Sequence, residues 1–267
     1  MSNKVECSVV MTLYNAEKYI KQAIDSVLNQ TMKNFELIIV NDCSTDGSEE
    51  IVKTYTDERI KYFKNKQNSK VSFSRNFGVS QASGDYVAFI DSDDVWLNTK
   101  LERQLEYMKS KNAKICYSSY GFVDDDGVLQ DKIFDVPKEV NYKRLLKQNV
   151  ITPSASIFAK ELLIKYPFYA DKIHEDFLAF LSMLKGENIT AVGINDPLIL
   201  YRLTVNSKSR NKLKAMKMTL QTYKEFGLNI FQRLFYLMFY IKNGLCKYKG
   251  IKDAKNEGYK SLTEKKI

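Results

Sequence analysis

Three carboxylates lie within four residues at the point where an apolar run ends. The run 86–90 (YVAFI) is followed by Asp91, Ser92, Asp93 and Asp94. Like charges this close repel, and a carboxylate at the edge of a core is costly unless it is paired or bound to a cation. Hard divalent cations such as Mg²⁺ and Mn²⁺ prefer carboxylate and phosphate oxygens. The cluster therefore indicates a cation site, or else a solvated turn in which Asp94 caps the next helix.

Two other polar segments follow predicted strands. MTLYN follows the first strand and VNDCSTD follows the second. Asp42, at the end of the second strand, could accept a hydrogen bond from a base or a ribose hydroxyl, or belong to a loop that caps the next helix. In an open α/β sheet, ligands bind outside the carboxyl ends of the strands. Because all three polar segments converge on one such edge, we expect a ligand site there.

Adjacent acids occur again where Glu175 and Asp176 begin a predicted helix. Acids at a helix start suit the helix dipole, so capping is one interpretation. The other is a general base placed to deprotonate a hydroxyl. His174, the single histidine of the chain, precedes them; a lone histidine is usually structural, and a metal or substrate contact is the alternative.

Two arginines are candidates for contacts with anions. Arg75 lies on a predicted helix before the acidic strand, where it could neutralise Asp91 or reach a phosphate. From its own segment alone, Arg75 is more simply explained as a surface residue. Arg202, with Lys208 and Arg210 after it, could close over a phosphate or belong to an ordinary basic loop.

The elements that must position these residues alternate between strand and helix over the first 120 residues. This alternation predicts a mainly parallel, doubly wound α/β sheet. Strands are predicted at 7–12, 35–40, 59–64, 86–90 and 114–120, and helices at 16–30, about 45–55, 72–81 and 97–109.

After residue 120 the pattern changes to an α+β extension. FVDDDGVLQDK predicts a hairpin with Asp126-Gly127 at its turn, and SASIFAK and PLILYRL predict further strands. The sequence lacks a Pro- or Ser-rich linker, so we expect one globular unit. Helices are predicted at 175–184, 208–226 and 230–247.

The chain of 267 residues carries a net charge of +9 that is unevenly distributed. Residues 208–267 contain 15 Lys and Arg against 4 Asp and Glu, a net charge of +11, so residues 1–207 carry 9 − 11 = −2. Such asymmetry indicates an anionic partner for the tail, which could be a membrane surface, a nucleic acid or an acidic polymer.

Cysteine usage and hydropathy bear on the compartment. The four cysteines are scattered without CxxC spacing, which argues against a zinc site or a disulfide framework and fits a reducing cytoplasm. The N-terminus lacks the long apolar segment of a signal peptide, and no stretch reaches about 18 uninterrupted apolar residues. We therefore expect a cytoplasmic protein, either free or attached to the inner face of the cell membrane.

Taken in order, five segments resemble the family 2 glycosyltransferases, which have a GT-A fold. They are VVMTLYNAEKYIKQAIDSVLNQT, FELIIVNDCSTDGS, SRNFGVSQASGDYVAFIDSDDVW, HED, and YR with a following NSKS. The first three span residues 7–96 and are jointly specific, and the match continues less tightly to about residue 210. Within the family, the chain is most similar to bacterial enzymes that build teichuronic acid, capsule or lipopolysaccharide glycans.

The resemblance implies an inverting enzyme that moves a sugar from a nucleotide-diphosphate sugar, expected to be a UDP-sugar, to a glycan or lipid-linked acceptor. It also implies a divalent metal, Mn²⁺ or Mg²⁺. The Rossmann-like GT-A catalytic domain would span 1–207, with the nucleotide-binding part at about 1–120 and the acceptor part at about 121–207. Residues 208–267 would form a basic helical C-terminal extension.

Site residues can be assigned by their position in the family pattern. Tyr14 would lie against the nucleotide base, and Asp91 would contact the ribose or donor sugar. Asp93 would ligate the metal, with Asp94 as the alternative because the alignment of the motif permits either residue. Asp176 would be the general base, with Glu175 as the alternative. The residues expected to bind nucleotide or donor are Thr12, Tyr14, Asp42, Arg75, Asp91, Ser92 and Arg202.

Two positions depart from the family pattern. Thr12 stands where the family commonly has proline, and we expect little effect because this position contacts the nucleotide through its backbone. A glycine that the family often has is missing from NSKVSFSRN, which leaves the shape of that loop open.

The tail has its own candidate role. NIFQRLFYLMFYIKN has broad apolar faces, and lysines follow at 242, 247, 249, 252 and 255. This segment could lie on an anionic membrane surface and bring the enzyme to a lipid-linked acceptor. Alternatively, it packs on the catalytic domain or forms a subunit interface.

Two other function classes fit the sequence less well. A sugar nucleotidyltransferase should have a Gly-rich, basic N-terminal loop, and MTLYNAEKY has no glycine. The positive charge of the tail is compatible with a basic nucleic-acid-binding protein. However, the tail has no recognisable nucleic-acid recognition motif, and the body is near neutral. We therefore expect no nucleic acid partner.

Overall fold

The computed structural model describes residues 4–169, 173–203, 212–247 and 251–252. Among the sequence candidates, Lys208, Arg210, Lys249 and Lys255 lie outside these residues. Within the described residues, every helix is too short or too polar to span a bilayer.

The first half of the chain forms a parallel sheet. Its strands are β1 (Cys7–Leu13), β2 (Phe35–Asn41), β3 (Ile60–Lys64) and β4 (Tyr86–Asp91), with helices α1 (Ile20–Leu28), α2 (Ser48–Lys53) and α3 (Lys70–Gln81) between them. The strand order is β4-β1-β2-β3. Strands β1 and β2 are buried along almost their whole length, as expected for a sheet that is covered on both faces.

Helix α3 packs closely on this sheet. A Cβ atom at Gly78 would lie 2.4 Å from Cγ1 of Val10, so only glycine permits this approach of α3 to β1. The contact fixes the position of Arg75, which is one helical turn earlier on α3.

The second half adds antiparallel pairs to the same sheet. Strand β9 (Ser156–Ala159) lies antiparallel between β4 and β6 (Ile115–Asp124). The predicted hairpin is confirmed, because β6 pairs antiparallel with β7 (Leu129–Phe134) and Gly127 has a φ of 83° at its turn. The long strand β10 (Ala191–Leu203) runs parallel to β6. The predicted α/β core with an α+β extension is therefore confirmed.

Shorter elements complete this half. They are β5 (Val95–Trp96), α4 (Lys100–Ser110), β8 (Glu139–Val140), α5 (Tyr142–Leu145), a 3₁₀ turn (Pro153–Ala155), α6 (Lys160–Lys165) and α7 (Glu175–Gly186).

The tail helices α8 (Lys212–Glu225) and α9 (Ile230–Lys247) pack on the body through one face. Tyr223 of α8 is fully buried and donates its hydroxyl to the carbonyl oxygen of Leu146 at 2.6 Å. Leu237 of α9 is also buried. After α9, strand β11 (Ile251–Lys252) pairs with β7. Packing on the body, one of the two alternatives for the tail, is therefore observed for these faces.

Candidate functional site

The sheet register brings the three polar segments of the sequence to one edge. Thr12 of β1 lies beside both Val40 of β2 and Asp91 of β4. The loops that leave these three strands therefore begin side by side. The expected convergence of the polar segments is confirmed by this register.

Asp42 is 5% exposed and organises the loop that leads to α3. Its Oδ1 accepts hydrogen bonds from Nδ2 of Asn65 at 2.8 Å and from the backbone N–H of Ser69 at 2.7 Å. Its Oδ2 accepts from the backbone N–H of Lys70, which has a φ of 71°, at 2.8 Å. A carboxylate has about four acceptor positions, so capacity remains for one ligand donor.

Three other residues predicted to bind nucleotide or donor differ in exposure. Tyr14 is 51% exposed, which leaves its ring available to stack on a planar ligand. Thr12 and Ser92 are half-buried. The predicted contacts of Tyr14, Thr12 and Ser92 with a nucleotide stay predictions.

The acidic segment forms a tight turn in which burial increases towards Asp94. Asp94 donates its backbone N–H to the carbonyl oxygen of Asp91 at 3.1 Å and is only 1% exposed. Burial, together with the charges of Asp93 and Asp91, raises the pKa of Asp94 well above its usual value. Burial and the charge of Asp91 raise the pKa of Asp93 to about 6. The turn therefore favours any cation that can approach it.

Arg75 joins the acidic turn to the acids that begin α7. Arg75 is 5% exposed, and its guanidinium donates to Oδ1 of Asp91 at 3.0 Å and to Oε1 of Glu175 at 3.2 Å. Burial disfavours its charge, but Asp91, Glu175 and Asp176 outweigh burial and raise the pKa of Arg75. The interpretation of Arg75 as a surface residue is wrong, and the ion pair with Asp91, one of the two contacts considered for it, is observed. A contact of Arg75 with phosphate or donor stays a prediction.

The first turn of α7 contains Glu175 and Asp176. Helix α8 contacts the residue before this turn, His174. Oδ1 of Asp176 accepts the backbone N–H of Phe177 at 2.7 Å. The backbone N–H of His174 donates to Oγ1 of Thr222 at 3.2 Å, and the ring Nε2 of His174 lies 3.2 Å from the carbonyl oxygen of Ala215. His174 therefore anchors the start of α7 to α8, which agrees with a structural role.

Arg202 lies beneath the acidic turn. It is 3% exposed, and its Nε donates to the carbonyl oxygen of Asp93 at 2.7 Å while its backbone N–H donates to Oδ1 of Asp94 at 3.0 Å. Its Nη1 donates to the carbonyl oxygen of Asp124 at 2.9 Å, and its guanidinium stacks 4.7 Å from the ring centroid of Tyr19. These contacts position the turn. A phosphate contact of Arg202 stays a prediction.

The donor atoms of the turn can be compared with the needs of a divalent cation. Within the described residues, no group of three or more His, Cys, Asp or Glu side chains is arranged to hold a metal. A Mg²⁺ ion that binds with a nucleotide needs fewer, because one or two carboxylates share it with substrate phosphates. The half-buried Asp93, whose raised pKa reflects an uncompensated carboxylate, fits this requirement. Asp94 fits it less well, because it is buried and binds the amide of Arg202.

Several residues that shape the site were not identified from the sequence. Gln22 accepts from Nη2 of Arg202, Asn65 donates to Asp42, and Ser154 places its Oγ 3.4 Å from the backbone nitrogen of Asp91. Gln22 lies on the first predicted helix, Asn65 directly follows β3, and Ser154 begins the segment SASIFAK that was predicted as a strand. Local patterns place these residues on elements but do not reveal that tertiary packing brings them to the site.

Comparison with known proteins gives a family match and relatives that cover most of the chain. A model described as Glycosyl transferase family 2 matches residues 8–166. TuaG of Bacillus subtilis (strain 168), named for teichuronic acid biosynthesis as a glycosyltransferase, is 37% identical over 243 residues, which are 90% of this chain and 96% of TuaG. The Escherichia coli UDP-Glc:alpha-D-GlcNAc-diphosphoundecaprenol beta-1,3-glucosyltransferase WfgD is 35% identical over 242 residues, which are 90% of this chain and 94% of WfgD.

Solved structures agree in fold. TarS 1-349 of S. aureus in complex with UDP-GlcNAc has a TM-score of 0.68 at 22% identity, covering 88% of this chain and 71% of that one. The mannosyltransferase PcManGT of Pyrobaculum calidifontis, in complex with GDP-Man and Mn²⁺, has a TM-score of 0.61 at 14% identity, covering 97% and 83%. The GT-A fold predicted from the sequence is thereby confirmed.

Proposed function

The chain belongs to glycosyl transferase family 2, and we propose that it is an inverting enzyme that transfers a sugar from a UDP-sugar to a hydroxyl of a lipid-linked glycan during bacterial surface polysaccharide synthesis. The observation that carries this proposal is the link through Arg75. It joins Asp91, at the expected donor site, to Glu175 in the first turn of α7, where Asp176 also lies. Donor contact and general base thus belong to one electrostatic network.

The nucleotide would bind at the edge formed by β1 and β2. Tyr14 stacks on the base, Asp42 accepts from a base or ribose donor through its remaining acceptor position, and Thr12 contacts the nucleotide through its backbone. We favour UDP because WfgD, at 35% identity, is named for UDP-Glc, and because TarS structures contain UDP or UDP-GlcNAc. Asp91 and Ser92 then face the ribose or the donor sugar.

Asp93 is the residue best suited to hold a divalent cation, and Asp94 is the alternative. A bound Mn²⁺ or Mg²⁺ would supply positive charge to the diphosphate that leaves. Arg202 keeps the turn in place through the carbonyl oxygen of Asp93. Replacing Asp93 with alanine would therefore affect binding of nucleotide only when metal is present.

The reaction is a single in-line displacement. The acceptor hydroxyl gives its proton to the carboxylate of Asp176, and its oxygen attacks the anomeric carbon as the bond to the diphosphate breaks. Arg75 donates to Oε1 of Glu175, the residue next to Asp176, and so fixes the first turn of α7. Because the attack is from the face opposite the leaving group, the anomeric configuration inverts.

The acceptor is proposed to be lipid-linked because WfgD is named for an acceptor on diphosphoundecaprenol. Helix α9 is suited to bring the enzyme to such a substrate at the inner face of the cell membrane. One side of it leaves large apolar residues between 43% and 81% exposed, namely Ile230, Phe231, Leu234, Phe235, Met238 and Ile241. Amphipathic helices with such faces lie in the membrane interface.

A transfer assay tests the proposed function. UDP-glucose and UDP-GlcNAc are offered with GlcNAc-diphosphoundecaprenol in the presence of Mn²⁺, and product is measured by mass. We expect Asp176→Asn to lower kcat about 10²- to 10⁴-fold, as for loss of a general base. The matched control is Asp85→Asn, whose carboxylate forms an exposed ion pair with Lys4 at the opposite end of β4.

Two results would contradict parts of this account. Full transfer by Asp176→Asn would remove Asp176 from the role of base and direct the same test to Glu175→Gln. Equal loss in Asp85→Asn would show that the assay reports folding rather than catalysis.

A further inference from the structure

A cavity of about 840 Å³ lies away from the acidic turn, between the end of β7, helix α5 and helix α9. Its walls include the segment 134–137, the segment that contains α5, and Asn243 of α9. Cavities of roughly 300–1,000 Å³ are typical of ligand sites. The proposed transfer reaction uses none of the residues that line this cavity.

The lining of the cavity is cationic. Lys143, Arg144 and Lys147 contribute three positive charges, and Asp135 is the one carboxylate among the lining residues. Within the described part of the chain, the three cations form no ion pair with an acidic side chain. Like charges that share a cavity without partners favour an anion, and arginine and lysine bind phosphate oxygens with charge-assisted hydrogen bonds.

Helix α9 connects this cavity to the exposed apolar face. Nδ2 of Asn243 donates to the carbonyl oxygen of Lys147 at 3.1 Å. Nζ of Lys147 lies 5.1 Å from the ring centroid of Phe239. The same helix therefore forms a wall of the cationic cavity on one side and carries exposed apolar residues, such as Phe231 and Met238, on another.

We propose that the cavity binds the phosphate groups of an anionic membrane lipid while the apolar face of α9 enters the lipid layer. This inference rests on the proposed function, in which the acceptor is carried by a membrane lipid. Stable attachment to a membrane commonly requires two signals, such as an apolar insertion and a basic patch. Here the basic residues lie in the segment that contains α5, and the apolar residues lie on α9, which contacts that segment through Asn243.

The charge of the cavity is tested by flotation with vesicles. The double variant Lys143→Gln with Arg144→Gln removes two exposed cations without touching the contacts of Lys147 with α9. Phosphatidylcholine vesicles, with and without phosphatidylglycerol, serve as the probe. One basic residue near an anionic surface contributes about 1 kcal/mol, or about fivefold in affinity, so we expect a loss of about 25-fold in this variant.

A matched variant distinguishes loss of vesicle binding caused by the cavity from loss caused by lower net charge. Lys217→Gln with Lys224→Gln removes the same charge from the exposed surface of α8, and we expect a much smaller loss of binding. Equal losses in the two double variants would overturn the cavity as the binding site. Failure of the wild-type protein to bind anionic vesicles at low salt would overturn the proposal as a whole.

Two further measurements complete the test. The variant Phe231→Ser with Met238→Ser should reduce vesicle binding, and unchanged binding would remove α9 from the proposal. Titration with inorganic pyrophosphate identifies a site for free phosphate, and tight binding of pyrophosphate without vesicle binding would overturn the lipid assignment. UDP affinity should be equal in the wild-type protein and in the double variant Lys143→Gln with Arg144→Gln. Failure of the wild-type protein to bind UDP would count against the proposed function and not against the lipid site.

Discussion

At the scale of single residues, Arg75 is the cation that offsets the negative charge of the acidic side chains in the site. It is buried between Asp91 and Glu175, and its guanidinium also lies 5.5 Å from the ring centroid of Phe168. Removing a partner from a buried ion pair leaves an uncompensated charge, which costs more than the pair contributes. The acidic groups of the site therefore depend on this arginine even without a bound ligand.

We expect Arg75→Met to lower the free energy of unfolding by about 3–5 kcal/mol, because two partly buried carboxylates lose their cation. Urea unfolding at neutral pH measures the change. The double variant with Glu175→Gln should recover part of the loss, since one of the unpaired charges is then absent. A loss below about 1 kcal/mol in the single variant would place Arg75 among exposed ion pairs instead.

Lys100 is a second buried cation, and it has no hydrogen-bond partner for its Nζ within the described residues. The ammonium lies 3.9 Å from the ring centroid of Trp96. Burial lowers the pKa of Lys100 from 10.5 to about 7, although the thiols of Cys7 and Cys116 act in the opposite direction. Between these two values the unfolded chain binds a proton that the folded protein has lost, so stability rises with pH.

The expected result is a rise in the free energy of unfolding of about 1 kcal/mol per pH unit between about pH 7 and pH 8.5. Above this range the buried thiols oppose the trend, because burial raises the pKa of both Cys7 and Cys116 to about 12. Lys100→Met should be more stable than wild type at pH 7 and should lose the slope. Chemical denaturation across this range checks the prediction, and an unchanged slope in Lys100→Met would assign the pH dependence to other groups.

The sequence predicted the types of residue in the site better than their partners. The sequence placed Asp42 and Asp91 at strand ends, because each follows an apolar run that predicts a strand. The contacts of Arg202 with Asp93 and Asp94 join residues more than 100 positions apart, as in the Arg202–Asp94 bond. No local pattern encodes such a contact, so the sequence did not predict that Arg202 binds the acidic turn.

Helix α8 is the element that ties the tail to the catalytic body. Its Tyr223 is fully buried and packs edge-on against Phe177 of α7, with ring centroids 5.9 Å apart. The same helix binds His174 through Thr222 and Ala215. The first turn of α7, which carries the proposed base, is therefore supported by residues from the tail.

Tyr223→Ala should lower the free energy of unfolding by about 3–5 kcal/mol, as for other large aromatic residues in a core. Phe231→Ala is the matched control on α9, because Phe231 is 81% exposed, and we expect a change within about 0.5 kcal/mol. Thermal unfolding of both variants gives the comparison. If Tyr223→Ala were as stable as the control, residues from 208 onwards would be an independent appendage, as the sequence division at 207 and 208 implies.

Element boundaries differ from the sequence predictions where side chains replace helical hydrogen bonds. The first helix was predicted from Ala16 but begins at Ile20. Asn15 has a φ of 49°, and the backbone N–H of Ala16 donates to Oγ of Ser48 at 2.9 Å. The N–H of Glu17 similarly donates to Asp46. These long-range hydrogen bonds satisfy the backbone N–H groups that precede the helix. The spacing of apolar residues in the sequence does not reveal them.

At the scale of the whole molecule, the sheet combines two halves with different pairing. The parallel half follows from alternating strands and helices, and the sequence was sufficient to predict it. The parallel pairing of β10 with β6 joins strands separated by a helix-rich segment, and its register shifts at Pro197. Such non-local pairing depends on packing across the whole chain, so only the strand itself could be predicted.

The charge asymmetry of the sequence arises from the basic tail. In the part of the tail that the structure describes, α8 and one face of α9 pack on the body. Helix α9 leaves apolar residues exposed and also contributes Asn243 to the wall of the cationic cavity. The cations of this cavity, Lys143, Arg144 and Lys147, belong to the body and not to the tail, so an anionic partner for the basic tail stays a prediction.

The most direct test of the central claim is isothermal titration calorimetry of UDP with the full chain, with and without Mn²⁺, beside GDP and CMP. We predict binding that is selective for UDP and strengthened by Mn²⁺. Asp93→Ala should abolish the metal effect, and Asp42→Asn should weaken binding in both conditions. Absence of binding to every nucleotide by the folded protein, or equal affinity for UDP in Asp93→Ala and wild type with Mn²⁺ present, would contradict the site described above.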